Sequence, residues 1–464
     1  AYYTIAHHLQ GGVEDGSQVG PLGIRAEDLT DEMFDYVFGD APYPASSAVP
    51  QEKADVLRRE FRYFYPMDLR SSGKDLINNH LTFCIYVHAA LFPEELWPRG
   101  MRANGHLMLN GAKMSKSTGN SLSLRQAVEK FGADATRVSL ADAGDGIEDA
   151  NFEEKTANAN ILRIHTLCEW GADQMQAIRD GKLRTGPRDA FWDRVFENEM
   201  NAAIGATNDA YARAAYKEAS KLGFYEFQSA RDLYREATAD VGMHADLVKL
   251  WMENQALLIA PIAPHFAEHY WRTILGHETS VHNELFPKPT KPEDAALTAA
   301  AAYVRGTIKT IRDAEIAVTR RKTKGPAPVK FDERKPKEVS IFVADAFPAW
   351  QDVCVNAVQK HYDPATGKVD DVKVREDVAA AGLLKDKKAM PFVMAFKKRI
   401  AEFGAEMAFN RQLPFHEADT LRDASGYLKR TLNFRAVHIE SARDALARAD
   451  AVSYTHLRAH ETDS

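Results

Sequence analysis

The feature that most limits how this chain can fold is the long stretch from about residue 156 to 285, where helical periodicity is nearly unbroken. Trp192, Val195, Phe196, Met200, Ala203, Ile204 and Tyr211 recur at three- and four-residue spacing, and Leu247, Leu250, Trp251, Asn254, Leu257 and Leu258 do the same. Long amphipathic helices with aromatic stripes must bury those stripes against each other, which predicts a helical bundle. Such stripes read as core rather than as a cofactor box. The segment Leu258-Ile-Ala-Pro261-Ile-Ala-Pro264-His265 predicts a helix stop, with Pro264 opening the next helix at its first turn. His265 reads there as a structural residue.

The flanks follow other grammars. Upstream, a strand candidate at Met67 to Ser71, a turn at Ser72-Gly73 and an apolar helix from Asp75 to Leu91 predict a piece of a doubly wound α/β sheet. Residues 101 to 120 predict a short hairpin opening into a polar, glycine-bounded loop, and Ser123 with Gln126 predicts a capping box for a helix that stops near Gly132. Downstream, Pro287, Pro289 and Pro292 mark a linker. Beyond them SIFVA at 340 to 344, a helix over 390 to 403 and RAVHIE at 435 to 440 predict a small α+β domain. At 464 residues the chain exceeds one ordinary domain of about 100 to 200 residues. Division at 1–120, 121–156 (a connector), 157–287 (the bundle) and 288–450 is expected. The tail 451–464 lacks periodicity and reads as a translated adapter scar or a disordered native end.

Composition excludes several classes. No apolar run is long enough to cross a bilayer, and three cysteines, Cys84, Cys168 and Cys354, are too few and scattered for a disulfide framework. That usage favours a reducing, intracellular compartment. The net charge of −7 excludes a uniformly basic coat for nucleic acid, yet Arg305 to Lys337 holds eleven Lys or Arg against four acids, including Arg320, Arg321, Lys322 and Lys324. That stretch is the weak candidate for RNA phosphate contact, a solvated basic linker being the plainer reading. Asp142 to Glu154 carries six acids and no base. No metal site is expected; a cation at Asp142, Asp145 and Asp149 is the minor alternative.

Two strings carry chemistry. Lys113-Met114-Ser115-Lys116-Ser117, bounded by Gly111 and Gly119, sets two lysines three apart among small hydroxyl residues. Such a loop can swing toward a polyphosphate and neutralise charge as it develops. It is not a Walker A loop. Upstream, Gly73 at a strand-to-helix turn permits close approach of a nucleotide, Asp75 can accept hydrogen bonds from ribose hydroxyls, and His80 on the same helix can reach that pocket unless it is a core histidine. Asn79 beside it is a further candidate.

The pentapeptide is similar to the signature loop of the class I aminoacyl-tRNA synthetases. The upstream string resembles that family's G-x-[DE]-x-x-x-x-H segment, and the LxxPxxPHxxExxW string its anticodon-binding bundle. YPMDLRSSGKDLINNHL, RANGHLMLNGAKMSKSTGNSL and ADAGDGIEDANF resemble the leucyl enzymes of cytosolic eukaryotic and archaeal type. The resemblance implies the second half of a Rossmann-like catalytic domain, an all-α bundle and an α+β C-terminal region. It implies catalysis by Lys113 and Lys116 on the pyrophosphate, assisted by Ser115 and Ser117. ATP would bind at Gly73, Asp75, Lys113, Met114 and Lys116, and the amino acid or adenylate near His80 and Asn79. The implied partners are leucine, ATP with Mg²⁺ as substrate and tRNA(Leu), with no prosthetic group, no membrane and a cytoplasmic location; other protein partners, as in multisynthetase assemblies, stay undetermined. The family's HIGH-type tetrapeptide and editing signatures are not found in these residues, so a fragment beginning at Ala1, inactive on its own, is expected. Isoleucine, valine or methionine as the amino acid, and a non-catalytic tRNA-binding module, stay open as rivals.

Overall fold

The computed structural model describes residues 1–12, 17–319, 337–344, 347–385, 388–410 and 413–447. The basic cluster Arg320, Arg321, Lys322 and Lys324 and the tail 451–464 lie outside the described residues. The chain divides into two compact units, residues 1–163 with 215–217, and 164–214 with 218–464.

The first unit is α/β. Helices Asp31–Phe38 and Gln51–Phe64 bury Met33, Val37, Leu57 and Phe61 in one core with Ile5, Phe92 and Leu96. Two small sheets follow. β1 (Arg70–Gly73) pairs in parallel with β2 (Met101–Asn104), from Arg70 opposite Met101 to Gly73 opposite Asn104. β3 (Leu107–Leu109) pairs antiparallel with β4 (Ala112–Lys113) and parallel with β5 (Ala150–Phe152).

This corrects two expectations. The strand expected at Met67 to Ser71 runs instead through Gly73, which is extended at φ −111° rather than a turn. The hairpin is narrower than residues 101 to 120 suggest, because β2 takes its partner from the chain thirty residues earlier and only β3 and β4 fold back on each other. Their two-residue turn is Asn110-Gly111 with φ values of 51° and 80°, the left-handed pair whose twist matches a tight hairpin. From Lys74 the chain is helical as expected, in three styles: a 3₁₀ turn at Lys74–Leu76, a π turn at Ile77–Leu81 and an α-helix at Thr82–Leu91. That α-helix buries none of its residues; Phe83, Tyr86 and Leu91 face outward. The capping box forms as expected: Gln126 N–H donates to Ser123 Oγ at 3.3 Å, Ser123 N–H donates to Gln126 Oε1 at 2.9 Å, and helix Leu124–Phe131 ends at Gly132 with φ 79°.

The second unit contains the bundle. Helices Phe191–Ala212, Phe227–Ala237 and Ala245–Ile259 bury the aromatic stripes as core, with Trp251, Phe196, Tyr234 and Phe227 almost fully enclosed. Pro264 begins helix Pro264–His269 as expected. His265 is exposed and lines an open cleft of about 570 Å³ with Glu268, His269, Arg272, Thr273, His277 and His282.

Two cations, the partly exposed Arg184 and the buried Arg231, pin the bundle. The Arg184 guanidinium donates to both oxygens of the fully buried Asp193 carboxylate, at 2.8 and 2.6 Å, and Tyr234 Oη–H donates to the same carboxylate at 2.6 Å. Tyr234 Oη in turn accepts His244 N–H at 2.9 Å. The Arg231 guanidinium lies over the rings of Trp170 and Trp251, 4.5 and 4.9 Å from their centres, the two indoles meeting edge to face.

After helix Ala295–Thr319, strand β6 (Glu338–Val343) pairs in parallel with strand Ala436–Ser441. The helices between them bury Cys354, Val358, Val374, Val378, Val393 and Phe396 in a separate core, the expected α+β unit. No helix among the described residues is long and apolar enough to cross a membrane.

Candidate active site

The lysine loop is held from below and closed on itself. Leu109 of β3, Phe131 and Phe152 form a small core against which Leu107, Met114 and Leu122 pack, so Met114 anchors the loop by its side chain. Ser115 N–H donates to Asn120 O at 2.8 Å, and Asn120 Nδ2 donates to Lys113 O at 3.2 Å. The hydroxyls of Ser115 and Ser117 lie 2.8 Å apart, and Thr118 Oγ1–H donates to Ser115 O at 3.2 Å. Gly119, at φ 74°, turns the chain back. This arrangement spends the loop's hydroxyls and amides on its own shape. Lys113 and Lys116 remain exposed, and neither forms an ion pair with a described residue. Their charges face solvent and are open to an incoming polyanion, with no ion-pair partner among the described residues to displace.

The second string surrounds the end of β1. A Cβ added at Gly73 would meet nothing within 4 Å, so the backbone there borders open space into which a ligand can come close. The π turn that follows sets Asn79 and His80 outward: Asn79 Oδ1 accepts His80 N–H at 2.5 Å, and His80 Nε2 accepts from the Arg70 guanidinium at 2.6 Å. π turns of this kind concentrate at functional sites. His80 is therefore exposed, which removes the core-histidine alternative.

Asp75 is brought to the lysine-loop sheet by a residue that the motif reading missed. His106 Nε2–H donates to Asp75 Oδ2 at 2.6 Å. Asp149 Oδ1 accepts both His106 N–H at 2.8 Å and the Lys74 ammonium at 2.5 Å. The Lys74 hydrogen bond, helped by that amide, holds the Asp149 carboxyl below its usual range. Asp145, also in the acidic segment, pairs with Arg102 and accepts Lys217 N–H at 3.0 Å. The acids flanking the site are thus engaged with cations and amides of the fold. Sequence held one faint signal for His106, the glycine before it: a Cβ at Gly105 would fall 2.1 Å from Glu148 O, so only glycine lets these segments meet.

An exposed lysine pair on a closed loop, a carboxylate beside open backbone at a strand end and a helical bundle further along the chain are the arrangement expected of a class I synthetase. Comparison with known proteins finds family models that match three parts of the chain. Residues 12–163 match the family model for class I tRNA synthetases (M), 193–328 that for the anticodon-binding domain of tRNA ligase, and 343–414 that for the leucine-tRNA ligase RagD-binding domain.

The chain belongs to the cytosolic leucine-tRNA ligase family. It is 48% identical to the cytoplasmic leucine-tRNA ligase of Saccharomyces cerevisiae over 93% of this chain and 38% of that one, and 42% identical to that of Pongo abelii over 96% and 38%. The Aeropyrum pernix leucine-tRNA ligase is 40% identical over 62% of this chain and 29% of its own. The chain therefore spans about two fifths of the length of these cytoplasmic relatives.

Proposed function

We propose that this chain supplies the lysine-loop half of the leucine-activating site, and the tRNA-binding bundle, of a cytoplasmic leucine-tRNA ligase. The observation that carries the reading is the pair of exposed lysines, without an ion-pair partner among the described residues, on a loop closed by its own hydrogen bonds. In the whole enzyme the leucine carboxylate attacks the ATP α-phosphate, pyrophosphate leaves, and the terminal ribose hydroxyl of tRNA(Leu) then takes the leucyl group from AMP. Lys113 and Lys116 bind charge that grows on the leaving pyrophosphate, which lowers the barrier by stabilising the transition state more than the ground state. Ser115, Ser117 and Met114 hold the loop that carries them. Gly73 lets the adenosine approach, Asp75 accepts the ribose hydroxyls, and Asn79 and His80 face the amino acid or adenylate. Mg²⁺ enters on the ATP phosphates, where a few waters and phosphate oxygens suffice as ligands.

The bundle over 157–287 and the region 288–450, with Arg320, Arg321, Lys322 and Lys324, contact the tRNA body through its phosphates, and 121–156 connects them to the catalytic half over 1–120. The match of residues 343–414 supports a second role for that segment, binding a RagD-type partner. A pull-down of purified RagD with this chain tests it; no retention refutes it.

The test of the main reading is ATP–pyrophosphate exchange by the full-length ligase carrying these residues, with leucine, isoleucine, valine and methionine compared. Exchange should depend on leucine. Equal or greater exchange with another of the four would overturn the assignment, and tRNA binding without any exchange would favour the non-catalytic module.

A further inference from the structure

We propose that His106 is a positioning residue: it fixes the Asp75 carboxylate for the ATP ribose and ties that carboxylate to the lysine loop. This inference rests on the ATP-binding reading above. Asp75 is 73% exposed at its side chain, so nothing in its immediate packing restricts its rotamers. An unclamped carboxylate in water samples several orientations and must be ordered when ligand binds. The His106 imidazole removes that freedom by taking Oδ2. Oδ1 has no partner among the described residues, and a carboxylate oxygen accepts more than one hydrogen bond, so the clamp orders the group without consuming its capacity for ribose hydroxyls.

The clamp is itself held on two sides. Asp149 Oδ1 binds the backbone N–H of His106 and the ammonium of Lys74, the residue preceding Asp75, so a single oxygen fixes the chain at both ends of the Asp75–His106 contact. The contact of Gly105 with Glu148 O locks the same segments together. His106 immediately precedes β3, in which Met108 pairs with Lys113 on β4. Two residues of strand and one cross-strand pair therefore separate the ribose carboxylate's clamp from the first catalytic lysine. Ordering of Asp75 by bound ribose and the placement of the lysine loop share this one short lever.

Exchange kinetics of the full-length ligase with His106→Leu and His106→Gln test the inference, with ATP and 2′-deoxy-ATP as the nucleotides. Leucine removes the donor; glutamine restores an N–H at similar reach. Loss of one hydrogen bond to a charged acceptor predicts a KM for ATP raised roughly tenfold in His106→Leu. The KM for leucine and the thermal melting temperature should stay near wild type, and His106→Gln should recover most of the loss. The preference for ATP over 2′-deoxy-ATP should shrink in His106→Leu, because a disordered Asp75 reads the ribose less well. An unchanged ATP KM and unchanged nucleotide preference would overturn the role. Parallel loss for ATP and leucine without rescue by glutamine would reduce His106 to a structural residue and overturn it equally. Absence of leucine-dependent exchange in the wild-type ligase would instead strike the ATP reading itself.

Discussion

The lysine loop and the helical bundle treat their cations in opposite ways. In the bundle, Arg184 is spent on a buried carboxylate in a two-pronged contact, and Arg231 on two tryptophan faces. In the loop, Lys113 and Lys116 are exposed with no ion-pair partner among the described residues, while neighbouring hydroxyls and amides hold its shape. A buried, paired charge leaves a binding partner nothing to gain, and its removal strands the other charge in a medium that solvates it poorly. An exposed, unpaired charge adds little to stability and is ready for a ligand. The contrast separates residues that build this protein from those proposed to serve its chemistry.

The largest effect expected from breaking the contrast is in the bundle. Asp193→Ala strands the Arg184 guanidinium and removes the acceptor of Tyr234, and should cost about 3 kcal/mol of stability, read as a lower urea midpoint. A loss below about 1 kcal/mol would show that the pair is replaceable. Next, in the full-length ligase, Lys116→Ala should lower leucine-dependent exchange on the order of 10²-fold, about 2.7 kcal/mol of transition-state stabilisation.

Glu417 sharpens the comparison, as a carboxylate whose burial outweighs its contacts with Tyr303 and Arg399, so that its pKa is pushed up from 4.5 to about 7. Below pH 4.5 the group is neutral whether folded or unfolded and costs nothing. As pH rises toward 7 the unfolded chain gives up its proton first, and stability falls until the folded form also ionises. Glu417→Gln should therefore gain on the wild type by about 2 kcal/mol between pH 5 and pH 8 in urea titrations. A difference independent of pH would place the titration elsewhere. The smallest effect is Ser123→Ala, which removes one half of the capping box and should lower stability by about 1 kcal/mol without altering ATP binding.

What could be read in advance depended on the range of the cause. The bundle's aromatic stripes, the Ser123–Gln126 box and the Pro264 restart are set by neighbours within a few turns, and each appears where the residues dictate. The exposed, glycine-bounded form of the lysine loop was legible because its own residues, Gly111, Gly119 and the hydroxyls between them, set it locally. The pairing of β2 with β1 was missed because a parallel partner is chosen by the packing of the intervening helix, which leaves no alternation in four residues of strand. The hairpin's true site did carry a local mark, Asn110-Gly111. His106 and Arg184 had none of comparable strength: their roles arise from Asp75, Asp149 and Asp193, which the fold alone brings to them.

Lys116→Ala, assayed at once for leucine-dependent exchange, tRNA binding and thermal unfolding in the full-length ligase, addresses the central claim most directly. The account predicts that exchange collapses while tRNA affinity and melting temperature remain at wild-type values. An unchanged exchange rate, or a loss of exchange that merely follows a lowered melting temperature, would contradict it.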